Sequence, residues 1–155
     1  SWGFNREGQL GHNTQGNNPP FGSVSSPKQI PGTWQDVSTI REGAAAIRTD
    51  GTLWCWGRNQ FGELGLNQFW NPTNNGISSP TQVGTDTTWY RVSTGTYAVY
   101  ATKTDGTLWA WGRGGQSQLG NSNNSNRSSP IQIPGTWKTT GFNGGSNWVF
   151  ALKGT

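Results

Sequence analysis

Few groups in this chain could carry covalent chemistry. One histidine, one cysteine and seven carboxylates are spread over 155 residues. With His12 alone a multi-histidine zinc centre is excluded, and a thiolate–imidazole pair would require His12 to meet Cys55. His12 stands in a polar stretch and reads as a solvated loop residue. Cys55 sits between Trp54 and Trp56, where the next copy of a repeat has Ala110, so it reads as a small packing residue. Asp50 and Asp105 each precede glycine and read as turn residues. Glu63 aligns with Gln9 and Gln118, so the repeat does not demand its charge. The Gly-Arg-Gly-Gly run at 112–115 lacks the Gly-Lys-Ser/Thr of a phosphate loop. The expectation is a chain with no catalytic residue, no cofactor and no metal.

Binding chemistry has better candidates. Phe69 and Trp70 fall in a polar stretch, 67–75, without counterpart in the other copies, and Phe21 follows Pro19-Pro20 in a comparable loop. An exposed loop aromatic can anchor a partner, so these three are the candidate binding residues. Asn123 and Asn126 match the N-glycosylation acceptor pattern within an Asn/Ser-rich loop. The net charge of +4 and pI near 9.6 suggest nucleic acid, but the Lys and Arg are scattered singly and form no stripe for phosphates. No apolar run approaches the ~20 residues of a membrane-spanning helix.

The elements that position these residues come from a repeat. Trp-Gly, Leu-Gly, Ser-Ser-Pro-x-Gln and a lone Trp recur in that order three times, and Asp-Gly-Thr-Leu-Trp follows the first two sets, at 50–54 and 105–109. A period of roughly 50 residues marks a supersecondary unit copied in tandem. The units are taken as 2–55, 56–110 and 111–155, the last one truncated. Charged residues are only 12%, but ten Trp argue against disorder. Asp-Gly between alternating apolar residues predicts a two-residue hairpin turn with positive φ at both central positions. It joins strands near 44–48 and 53–57, with Trp54 and Trp56 on one face and Leu53 and Cys55 on the other. Further strands are expected near 28–30 and 34–38, giving four short antiparallel strands per unit, as in a propeller blade. Eight Trp at repeated positions (2, 56, 111; 34, 89, 137; 54, 109) read as blade packing, and Trp148 reads as core.

The Ser-Ser-Pro-x-Gln-Ile-Pro-Gly-Thr-Trp of 25–34 and 128–137, with Lys-Thr-Asp-Gly-Thr-Leu-Trp-Ala-Trp-Gly at 103–112, resembles the regulator of chromosome condensation repeat. The resemblance covers essentially the whole chain. It implies an all-β fold of about three tandem four-stranded blades, part of a larger, seven-bladed ring or of a repeat array. The family's usual blade histidine is absent, since Gly43, Ala98 and Trp148 occupy its place. The expected function is a non-enzymatic structural or recognition element of an extracellular surface or virion, binding protein or surface glycan. The alternative implied by the resemblance is guanine-nucleotide exchange on a small GTPase. Three copies are too few for a closed ring. The expected partners are therefore other blades of a longer chain, the favoured reading, or neighbouring copies.

Overall fold

The computed structural model describes residues 1–16, 22–70 and 76–154. Its ten strands form three antiparallel sheets. β1 (Trp34–Ile40), β2 (Gly43–Arg48), β3 (Leu53–Arg58) and β4 (Gly76–Gln82) make the first, in that order. The second is built likewise from β5 (Trp89–Thr94), β6 (Ala98–Lys103), β7 (Leu108–Gly112) and β8 (Arg127–Ile133). The third pairs only β9 (Trp137–Gly144) with β10 (Val149–Lys153). Four-stranded meanders stacked face to face are propeller blades, as the repeat implies.

The sheets are out of phase with the repeating phrase. No strand forms at 28–30. The matching segments of the next copies lie in β4 and β8, which pair with the Trp-x-Trp-Gly strand that precedes them. Pro80 and Pro130 lie inside these outermost strands, where an edge tolerates the missing donor.

The hairpins stand where Asp-Gly placed them, but their geometry differs from the expectation. Gly51 N donates to Arg48 O at 2.9 Å and Arg48 N to Thr52 O at 3.0 Å, leaving a three-residue loop. Among its residues only Gly51 has positive φ (78°). This is a type I turn closed by a glycine bulge, so Asp50 keeps an ordinary backbone and only the glycine is conformationally special. A Cβ on Gly51 would meet Thr87 O at 2.0 Å. The second hairpin repeats the pattern at Lys103, Gly106 and Thr107.

Alternation along β2 and β3 builds two cores. Ala45, Ile47, Leu53 and Cys55 face the second sheet, where they pack with Val92, Val99, Ala101 and Trp111. Ala44, Ala46 and Trp56 face the other way, beside Ile30, Trp34 and Trp54. A third cluster joins Tyr100, Leu108 and Ala110 to Trp137, Phe142, Val149 and Ala151. Blade contacts are also polar: Thr94 Oγ1 donates to Thr39 O at 2.6 Å, and Val92 N to Asp36 Oδ2 at 2.9 Å.

The tryptophans divide unevenly. Trp56, Trp89 and Trp111 are buried, while Trp34, Trp54, Trp109 and Trp137 are half-buried. Two assignments to the core are corrected: Trp2 is 63% exposed and Trp148 54%. The indoles of Trp56 and Trp111 donate to Gln9 O and Glu63 O, from the turn one repeat earlier, and no described residue supplies that cover to Trp2. Trp148 lies just before β10, in a sheet of two strands, and packs at a tilt against the likewise exposed Phe150.

Candidate functional site

The antiparallel meander sends the β1–β2 and β3–β4 connections, and their equivalents, to one rim, and the Asp-Gly hairpins to the other. The hairpin rim is explained by packing. Asp50 Oδ1 accepts from Thr52 N and Oγ1, and Thr52 Oγ1 accepts from the Trp54 indole at 2.7 Å. The Thr52 bonds hold the Asp50 carboxyl below the usual carboxylate range. Arg48 caps the same turn, its guanidinium 3.8 Å above Trp54 and 5.0 Å from Trp34. Asp105, Thr107 and Trp109 repeat the chain of bonds, with Lys103 Nζ 4.3 Å from the Trp109 ring. These residues stabilise the blade edge, where Arg48 is held by its ring contacts and its buried Nε has no hydrogen-bond partner.

The loop rim carries the groups that packing does not account for. The Tyr97 ring lies 4.9 Å from Phe61, edge to face. Two guanidinium groups border it: Arg41 at 5.5 Å and Arg113 at 5.9 Å, with Arg113 also 5.3 Å from Phe61. Backbone bonds from Arg41 N to Thr96 O and from Arg113 N to Tyr97 O fix the arrangement, and Arg41 donates to the Tyr97 hydroxyl. Glu42 is engaged by Arg58. Among the described residues, no carboxylate forms an ion pair with Arg41 or Arg113. A guanidinium stacked on an aromatic keeps its outward N–H donors available for a planar anion.

The sequence candidates fall partly on this rim. Phe69 is 50% exposed and Trp70 48%, both on the β3–β4 connection. Asn59 Nδ2 donates to Gln68 O at 2.9 Å, and Asn67 N to Ser128 O at 2.7 Å, so the segment is pinned beside them. Phe21 lies outside the described residues. Arg41, Phe61, Tyr97 and Arg113 escape a pattern reading because the four do not share one repeat position. Arg41 and Tyr97 align with Thr96 and Glu42, and Phe61 aligns with Gln116. The repeated Trp-Gly-Arg at 56–58 and 111–113 was the one available signal.

The remaining reactive groups are structural. Cys55 is buried, and desolvation pushes its thiol far up, away from any nucleophilic role. Burial raises the Glu63 carboxyl, which accepts from Phe61 N and Gln60 N, the turn-closing work that Gln9 and Gln118 do in their copies. His12 is half-buried rather than fully solvated. Its Nε2 lies 2.9 Å from Ser1 Oγ, but that hydroxyl donates to Leu10 O at 2.7 Å, and Nδ1 has no partner to orient the ring. A serine whose proton points elsewhere is not an activated nucleophile. No group of three His, Cys, Asp or Glu able to hold a metal occurs among the described residues. No described helix is long and apolar enough to cross a membrane.

Comparison with known proteins fixes the family. The Regulator of chromosome condensation (RCC1) repeat matches residues 1–42, 50–101 and 105–152. The Regulator of chromosome condensation of Xenopus laevis is 30% identical over 135 residues, spanning 86% of this chain and 31% of that protein. The RCC1 domain-containing protein RUG3, mitochondrial, of Arabidopsis thaliana is 29% identical over 141 residues, 86% of this chain and 30% of that one. The chain thus spans about a third of the length of these relatives. In structure it is similar to Prp20p from Saccharomyces cerevisiae, with a TM-score of 0.82 at 18% identity over 99% of this chain and 39% of that one. Repeats matched over most of the chain and blades superposing on a propeller lead to one assignment: the chain belongs to the regulator of chromosome condensation repeat family.

Proposed function

We propose that this chain is a non-enzymatic recognition module whose loop rim docks a partner protein through acidic side chains. One observation carries the reading: Arg41 and Arg113 flank Tyr97, and no described carboxylate pairs with either. Arginine on an aromatic platform suits bidentate contact with carboxylates, and the exposed Phe69 and Trp70 add anchoring area on the same rim. The low charge and abundant Asn, Ser, Thr and Gly favour work on an extracellular surface or a virion, where a surface glycan would stack on the same aromatics. The solved relative's description as binding Gsp1p and histones supports a protein ligand by kinship.

The match to the Xenopus laevis protein favours a second reading, nucleotide exchange on a small GTPase. The purified chain separates these readings when tested against an Asp/Glu-rich peptide, a glycan array and GDP-loaded small GTPases. The expected outcome is salt-sensitive peptide binding with no acceleration of GDP release. Catalysed release that is lost on Arg41→Glu would install the second reading instead.

A further inference from the structure

The loop rim holds one arginine twice, in two different settings. Arg58 closes β3 and Arg113 follows β7, each directly after a Trp-Gly. Arg58 N donates to Glu42 O at 2.9 Å, and Arg113 N donates to Tyr97 O at 2.8 Å. The backbones are therefore equivalent, and the settings differ only in the side chains around each guanidinium.

Around Arg58 the chain supplies acid. Glu42 accepts from Arg58 Nη1, and Glu7, from the turn one repeat earlier, adds a second negative charge. These contacts, the Glu42 bond foremost, outweigh burial and hold the guanidinium above its usual range. Around Arg113 the same two places are aromatic, since Tyr97 aligns with Glu42 and Phe61 with Glu7. Their rings lie 5.9 Å and 5.3 Å from the guanidinium, and no described carboxylate pairs with it. A ring holds a guanidinium electrostatically but takes none of its in-plane donors the way a carboxylate does. Tyr97 brings a further donor. Its hydroxyl oxygen accepts from Arg41, which leaves the phenolic proton to be donated elsewhere.

From this contrast we infer that Arg113 is a carboxylate receptor held open by two aromatic residues, and that Arg58 is the same receptor closed by the chain's own Glu42. The inference rests on the reading of the loop rim as a docking surface, and it gives that surface its ligand group. The group is a side-chain carboxylate of the partner, the kind that the aligned arginine already holds. It seats on the Arg113 fork, with Arg41 and the Tyr97 hydroxyl beside it. Of two arginines at one repeat position, only Arg113 reads the partner. An acid built into the chain in place of Tyr97 would fill the receptor from within.

Calorimetric titration with an Asp/Glu-rich peptide at low salt tests this through a double-mutant cycle. Tyr97→Glu is expected to bind at least about tenfold more weakly than Tyr97→Gln, which removes the same ring without adding charge. On an Arg113→Gln background the two are expected to bind alike, because the receptor that the new acid fills is gone. General repulsion would separate them on either background, and that result would overturn the inference while leaving the docking reading intact. A second arm leaves Tyr97 untouched. Arg58→Ala with Glu42→Ala removes the closed pair at constant net charge and is expected to leave binding near the native value. Arg113→Gln alone is expected to weaken it by at least about tenfold. Equal losses in this arm, with the β-sheet circular dichroism of both variants preserved, would also overturn the inference. A native chain without saturable binding would overturn both the inference and the reading beneath it.

Discussion

Glu63 is the residue whose chemistry departs most from its repeat partners. Burial is the largest influence on it and raises its carboxyl, against the opposing pull of Phe61 and Gln60 N–H groups and the Arg58 charge. The unfolded chain releases this proton at lower pH than the folded one. Its contribution to stability is therefore full below the ordinary carboxylate pKa and is lost as pH rises through the raised value. Asp50 and Asp105, held low by Thr52 and Thr107, act oppositely and lose their contribution as pH falls. Comparing Glu63→Gln with the native chain cancels those terms. Urea midpoints from about pH 4 to about pH 7 are expected to show the variant gaining relative stability as pH rises. A pH-independent difference would show that the carboxyl is not perturbed. Thr52 links Asp50 to Trp54, so Thr52→Ala is expected to cost about 1–2 kcal/mol, and more than Thr107→Ala at its less buried site. Equal losses would contradict the linkage. Cys55 and Asp50 were legible in sequence because their roles repeat. The Arg41–Tyr97–Arg113 cluster was not, because spatial neighbours from different repeat positions leave no periodic trace.

At the scale of the element, the hairpins show both the reach and the limit of pattern. Asp-Gly in register located both turns, yet the same dipeptide fits a two-residue loop and a three-residue loop with a glycine bulge. The choice rests on whether Asp50 has positive φ, which composition does not encode, and here it does not. The expected strand at 28–30 failed for another reason: the phrase runs in chain order, whereas the sheet pairs each Ser-Ser-Pro segment with the strand before it. Gly51 is the sharpest probe of the hairpin. Gly51→Ala meets Thr87 O as well as the positive φ, whereas Gly84→Ala shares the positive φ but has no neighbour within 4 Å. Gly51→Ala is expected to destabilise by more than the roughly 1 kcal/mol of backbone strain that suffices for Gly84→Ala. Equal midpoints for the two in urea would contradict the contact.

For the whole molecule, the buried apolar side chains join neighbouring blades. Ile47 is fully buried between the first and second sheets, so Ile47→Ala is expected to cost about 2–5 kcal/mol, whereas the loop-rim arginines can be changed with little loss. That separation keeps recognition testable apart from folding. The most direct test is calorimetric titration of the chain with an Asp/Glu-rich peptide at low salt, alongside two charge-reversed variants. Arg41→Glu with Arg113→Glu alters the loop rim, and Lys138→Glu alters an exposed position near the opposite rim. The account predicts that the arginine pair weakens binding by at least about tenfold while Lys138→Glu leaves it near the native value. Equal weakening by both variants, or no saturable binding by the native chain, would contradict it.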